Sequence, residues 1–310
     1  MNLVFTIYSF FFLVTALVSF FVALLAWRRR TVKGALELAW LMIAAGIGSF
    51  WIIFETAALT PTDKVLWSKL EYVGGIATPV LYLIFVLRFT GKDKLISVKN
   101  ILLLFIIPLI TLLLTITNEK HNLIWSGFSS ISAETNLMEY FHGIGFWIGH
   151  IAYTYLMLLL STILLFRFLM RRARAFRSQG WIVLIGGLFP WIVSGLYLSG
   201  FSPVAGLDLA PVSITLSGSL AAYAIFNIRL LDLVPVARET LVETLQDGIL
   251  AIDAQNRIQD INKAAISFLG IRNKHIIGEN AESAGATITQ LLSAAINQEP
   301  VNQIEIQGTT

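Results

Sequence analysis

Seven stretches of the chain carry almost no charge, and each is long enough to cross a bilayer. They run from about Leu3 to Trp27, Leu36 to Ala58, Leu66 to Leu87, Ile101 to Ile116, Gly143 to Phe166, Trp181 to Leu198 and Leu209 to Ile228. A membrane-spanning helix needs about 20 mostly apolar residues, because lipid offers backbone groups no hydrogen bonds and only a helix or closed barrel satisfies them internally. The first stretch is not a signal peptide: Met1 leads straight into it, and Arg28, Arg29 and Arg30 follow where a small-residue cleavage site would stand. An all-α polytopic membrane protein is expected, with a seven-helix bundle over residues 1–228.

Basic residues orient the array, since cytoplasmic loops hold the excess of lysine and arginine. Thirteen of the sixteen before residue 229 fall in alternate loops: Arg28, Arg29, Arg30 and Lys33; Arg88, Lys92, Lys94 and Lys99; Arg167, Arg171, Arg172, Arg174 and Arg177. The other connections hold only Lys64, Lys69 and Lys120. The expectation is a multi-pass protein of the cell membrane with its N-terminus outside and its C-terminus cytoplasmic. The net charge of +3 divides unevenly: residues 1–228 carry 16 basic and 9 acidic side chains, residues 229–310 carry 6 and 10. The basic excess is loop charge facing anionic lipid, and nucleic-acid binding is not indicated. With no cysteine present, thiolate metal sites, disulfides and cysteine nucleophiles are excluded.

After Ile228 the texture becomes amphipathic. Leu231, Val234, Leu241 and Leu245 recur at helical steps, and Pro235 and Gly248 bound the cleaner helix at Val236–Gln246. Residues 229–247 read as a linker helix, either pairing with a second copy as a two-stranded coil or packing on its own domain. Gly248–Asp253 and Ile258–Asn262 read as a hairpin across the turn-like Ala254–Arg257. Asn262 is placed to cap a helix from Lys263 to Leu269, which Gly270 ends. This order, with Asp247-Gly248 at its entry, Asn262-Lys-Ala-Ala265 after the hairpin and His275-Ile-Ile-Gly278 later, resembles the opening of an α/β PAS domain. Such a domain needs strands beyond Gln303–Gln307, so residues 248–310 are expected to form an incomplete one.

Seven spans, a linker helix and a PAS-like piece together resemble the sensor region at the N-terminus of prokaryotic membrane histidine kinases. Local residues carry the likeness: Leu66-Trp-Ser-Lys-Leu-Glu-Tyr-Val-Gly74 with Pro79 and Phe89-Thr-Gly91, His121-Asn-Leu-Ile-Trp125, and Phe226-Asn-Ile-Arg229. The resemblance implies the input half of a two-component sensor, passing a stimulus through Arg229, Leu241 and Leu245 to output domains. Similar regions precede diguanylate cyclases, so the type of output is open. No phospho-acceptor helix, ATP lid or kinase N-box is present, so no catalytic residue is assigned and this chain is expected to be catalytically inert.

Intramembrane charges mark the site candidates, because they usually face a bundle interior or cavity. Glu55, Trp67, Glu71, His121, Trp125 and His142 are grouped as an outward-facing pocket for a small ligand, with Trp67, Glu71 and Thr78 expected on one helical face. An interfacial aromatic belt, with Lys69 paired to Glu55 or Glu71, accounts for the same residues. His142 and His150, read as two turns apart on the fifth helix with Phe146 between them, invite a role in reporting pH. His150 alone reads as a buried, hydrogen-bonded core histidine. Asp208 reads as a helix cap and Glu37 as a surface partner of Lys33. Pro79, Pro108 and Pro190 each remove a helix hydrogen bond. No metal site or cofactor is assigned: flavin photochemistry lacks its cysteine, heme would rest on His275 alone, and a retinal Schiff base lacks a lysine in the seventh span. A small-solute transporter is the competing function, but neither paired repeats nor midplane-broken helices are evident.

Overall fold

The computed structural model describes residues 2–171, 177–202, 204–227, 242–253, 255–270 and 277–280. Arg229, Leu241, His275 and Gln303–Gln307 lie outside the described residues, as does most of the linker helix. The chain separates into two compact units, residues 1–231 and 232–310.

The first unit is a helical bundle. Its helices are α1 (Ile7–Arg28), α2 (Ala35–Ala57), α3 (Pro61–Gly75), α4 (Thr78–Phe89), α5 (Val98–Ile116), α6 (Tyr153–Arg171), α7 (Arg177–Leu198) and α8 (Ala210–Asn227). Among the described residues six helical segments are long and apolar enough to cross a membrane, α3 and α4 counting together, and Ala210–Phe226 is a shorter apolar helix. Side-chain oxygens start several of them. Thr6 and Ser9 form a reciprocal box at α1, Thr60 accepts from the Asp63 amide at 3.2 Å at α3, and Ser97 accepts from the Asn100 amide at 3.2 Å at α5.

Helix α2 packs against α1, α3, α4 and α8, and small residues let the backbones approach. A Cβ added to Gly74 would lie 2.3 Å from the Ala44 carbonyl oxygen and 2.6 Å from the Gly48 nitrogen, which is the close contact that small residues provide in membrane interfaces. At one end, Lys33 pairs with Asp93 (2.9 Å) and Arg88 with both Glu37 (2.7 Å) and Asp93 (3.1 Å). The hydrogen bond from Lys33, reinforced by Arg88, holds the Asp93 carboxyl below the usual carboxylate range. Glu37 therefore pairs with Arg88 and not with Lys33: Gly34, with φ of 86°, precedes the helix start at Ala35 and takes Lys33 off the helical register.

The third span is broken at Ile76–Ala77, just before Pro79. At each of Pro79, Pro108 and Pro190, the carbonyl four residues before the proline accepts from a hydroxyl. Thr78 Oγ1 donates to Gly75 O (2.8 Å), Tyr153 Oη to Leu104 O (2.5 Å), and Ser217 Oγ lies 2.5 Å from Gly186 O. These are the acceptors that Pro79, Pro108 and Pro190 leave without their helix N–H.

The second unit shows a hairpin of β3 (Leu250–Ile252) and β4 (Ile258–Ile261), antiparallel, followed by α9 (Lys263–Phe268). Asn262 is its junction: Oδ1 accepts from the Ile249 and Ala265 amides, and Nδ2 donates to the carbonyls of Val242 and Asp247. Before it, residues 242–244 are helical and Leu245 is already outside the helix and 45% exposed, two residues short of the expected end at Gln246.

Candidate functional site

Between α5 and α6 lies the connection that carries His121, Trp125 and His142. It folds into a small antiparallel hairpin, β1 (Trp125–Phe128) with β2 (Tyr140–His142), and a π-helix, Phe146–Ala152, that runs into α6. Asn118 holds the hairpin down: Oδ1 accepts from the Ile124 and Trp125 amides, and Nδ2 donates to the Trp125 carbonyl. Trp125 is thereby fixed with 2% of its surface exposed. Asn136 Nδ2 donates to Thr56 O (2.9 Å) and Ala58 O (3.2 Å), tying the same loop to the end of α2.

Under this hairpin the bundle encloses a cavity of about 160 Å³, walled by α2, α3, α4, the π-helix, α6, α7 and α8. Glu55, Glu71, Trp125 and His142 all line it. Trp67 and His121 do not. Trp67 stacks on Trp51 (centroids 5.5 Å apart) and Phe54 (4.9 Å), and His121 closes its own turn, its Nδ1 accepting from the Leu123 amide at 3.0 Å and its Nε2 3.1 Å from Thr117 Oγ1. The face that α3 turns to the cavity is Ser68, Glu71, Tyr72 and Gly75, an i, i+3, i+4, i+7 stripe. Trp67 sits one position off that stripe. Thr78 reaches the cavity from α4, past the break that ends the expected common face.

Aromatic rings form a continuous wall. Tyr72 meets Trp125 edge-on at 5.5 Å, Trp125 meets Tyr140 at 5.6 Å, and His142 stacks on Phe146 at 3.6 Å. His142 lies on β2, ahead of the helix that was to carry it with His150, and the ring contacts bring the two histidines together through Phe146 all the same. Burial pushes His142 down to about 4, so its ring is neutral at pH 7 and outside the range in which a histidine reports neutral pH. His150 lies against Tyr72 and Phe146 with no hydrogen bond among the described residues, and lines the cavity instead of filling a hydrogen-bonded core position.

Three carboxyl groups share the cavity. Glu55, 8% exposed, accepts from Tyr140 Oη at 2.9 Å. Burial and the nearby Glu55 carboxylate hold the Tyr140 phenol well above its ordinary value, so it stays a donor. Asp208 caps α8, accepting from the Ala210 amide at 2.8 Å as expected, and also faces the cavity. Burial raises its carboxyl above the ordinary value. The third, Glu71, has no hydrogen-bond or ion-pair partner among the described residues. Lys69 turns away to Glu119, and the fully buried Lys64 donates to the Glu55 backbone carbonyl at 2.8 Å. The pairing of Lys69 with Glu55 or Glu71 is thus replaced by an ion pair between α3 and the turn after α5. Tyr72, Tyr140 and Tyr197 also line the cavity, and so does Asp208 beyond its expected role as a cap; no local pattern marks the tyrosines, and Tyr140 reaches Glu55 across 85 positions of sequence.

Among the described residues no group of three or more His, Cys, Asp or Glu side chains is placed to hold a metal ion. Neither the curated proteins nor the solved structures gave a match to this chain. A model of the PAS fold matches residues 237–283, over the hairpin and helix built around Asn262. A model of the N-terminal 7TM region of histidine kinase matches residues 11–235, more than half of the chain and all of the cavity-bearing bundle after the first turn of α1. Sensor and PAS regions are detected and a kinase catalytic domain is not. The chain is a multi-pass membrane protein, the membrane sensor input half of a two-component system, and it belongs to the family of N-terminal 7TM regions of histidine kinases.

Proposed function

We propose that the cavity under the outer hairpin is the sensory site, that the bundle stands with its N-terminus outside, and that a ligand held there biases the linker toward cytoplasmic output. The cavity itself carries this reading. Nine structural elements from distant parts of the sequence contribute to one space, and Pro79 and Pro190, which interrupt two of the spans, are in its lining. A ligand can shift a two-state equilibrium only through unequal contacts with the two states, and a space walled by several helices makes its contacts depend on their relative placement.

The sidedness is supported by charge and by contact. The basic loops after α1 and α4 touch through Lys33–Asp93 and Arg88–Glu37, so the positive clusters share one end, which faces the cytoplasm under the positive-inside rule. The opposite end holds the N-terminal residues, bridged Leu3 to Ala58, and the hairpin. Domain limits at 1–228, 229–247 and 248–310, and pairing of two copies through the linker stripe that includes Leu245, complete the proposal. The lipid bilayer is the environment of the first unit.

Filling the space tests the reading. Ser194→Phe introduces a ring into the cavity from α7. The purified chain, screened for small molecules that raise its thermal midpoint, should lose its stabilising ligands in this variant while remaining folded by circular dichroism. Hits that all survive Ser194→Phe would place ligand binding elsewhere and overturn the assignment.

A further inference from the structure

Resting on the reading of the cavity as a ligand site, we infer that it selects a small organic cation: a protonated amine of roughly benzene size, its ammonium at Glu71. The lining holds Glu55, Glu71 and Asp208 and neither lysine nor arginine. Two of the three carboxyls are already engaged, Glu55 by Tyr140 and Asp208 by the Ala210 amide. Glu71 is the one left over. Both lysines of its own helix are committed to other acceptors, Lys64 to the Glu55 carbonyl and Lys69 to Glu119. Carboxyl groups gathered in a low-dielectric interior favour a positive charge among them, since an isolated buried carboxylate is costly.

The form of that charge follows from the walls. A metal ion draws its donors to about 2.0–2.6 Å, and the described residues place no such set. A polyatomic cation needs no such convergence and is attracted to the faces of aromatic rings within about 6 Å; Tyr72, Trp125 and Phe146 line the same cavity as Glu71. The volume, about 160 Å³, is close to the cavity of about 150 Å³ that accommodates benzene. Anions find no positive side chain in the lining.

The test uses the purified 310-residue chain in detergent and charge-matched sets on one framework: benzylamine, benzyl alcohol and benzoate, with isobutylamine, isobutanol and isobutyrate as a smaller set. Binding is read by tryptophan fluorescence, with Trp125 in the wall, and by thermal midpoint. Amines are expected to bind and their alcohol and carboxylate counterparts not, with affinity falling at least about tenfold in Glu71→Gln, as for loss of a charged hydrogen-bond partner, and preserved in preference, if not in strength, in Glu71→Asp. Alcohol or carboxylate binding that is lost in Ser194→Phe, with amines inactive, overturns the cation assignment and leaves the cavity a ligand site. Amine binding unaffected by Glu71→Gln also overturns it. If no member of either set binds in a way that Ser194→Phe abolishes, the cation assignment fails, and a screen in which other chemistries bind and are abolished separates that failure from failure of the site.

Discussion

Removing the Tyr153 hydroxyl should destabilise the bundle only while residue 108 is proline. In α5 Pro108 has no N–H to give to Leu104 O, and Tyr153 Oη, 2.5 Å away on the neighbouring span, donates to it. Tyr153→Phe keeps the ring in its packed position, 9% exposed, and deletes this donor alone. Side-chain hydrogen bonds in membrane bundles average about 0.6 kcal/mol and reach about 1.7, and a buried acceptor with no alternative loses about 1–3 kcal/mol. Because lipid supplies no replacement donor, a value of about 1.5 kcal/mol is expected, near the top of the first range and inside the second. For a unit of this size that is a midpoint drop of roughly 3–6 °C. Pro108→Ala restores an amide at position 108, which then competes for the same carbonyl. In that background Tyr153→Phe should lose no more than about 0.5 kcal/mol, leaving a coupling of about 1 kcal/mol in the double-mutant cycle. Thermal unfolding of the four proteins in one detergent, followed by tryptophan emission, measures it. Equal losses from Tyr153→Phe in both backgrounds would refute the account of proline-freed carbonyls. Tyr153 is the right partner for this experiment because Ser217 divides its single proton between Gly186 O and Ser213 O, 2.8 Å away.

Sidedness is checked by impermeant maleimide on intact cells, against a cysteine-free background: a cysteine at Ser126 should label from outside and one at Lys94 should not, and the reverse pattern would invert the topology. In the second unit Asn262→Ala removes four hydrogen bonds at the hairpin–helix junction. It should lower the stability of that unit by about 2–3 kcal/mol in denaturant unfolding, while the membrane unit's midpoint stays unchanged.

The histidine-kinase sensor family, the seven apolar stretches and the PAS-like hairpin with its Asn262 cap were legible in the chain, because each rests on patterns within about twenty residues. The same local logic placed Glu55, Glu71, Trp125 and His142 as site candidates. It failed for Trp67, where one step around the helix separates a residue stacked on Trp51 from the cavity face of Ser68 and Glu71. It failed for His121, whose ring satisfies its own turn, and for Glu37 and Lys69, whose ionic partners, Arg88 and Glu119, lie about 50 positions away.

Hydrophobic length and the placement of arginine and lysine are one-dimensional quantities, and the bilayer reads them almost independently of packing; they determined that this chain is a polytopic membrane protein. Which carboxyl is left without a partner is a question of three dimensions. Glu71 is left without a partner among the described residues because Tyr140, on a hairpin far along the chain, takes Glu55 and both lysines of α3 find acceptors elsewhere. Those are contacts between segments that no local periodicity specifies, so the tertiary structure alone decided which side chains line the cavity and which of them are paired.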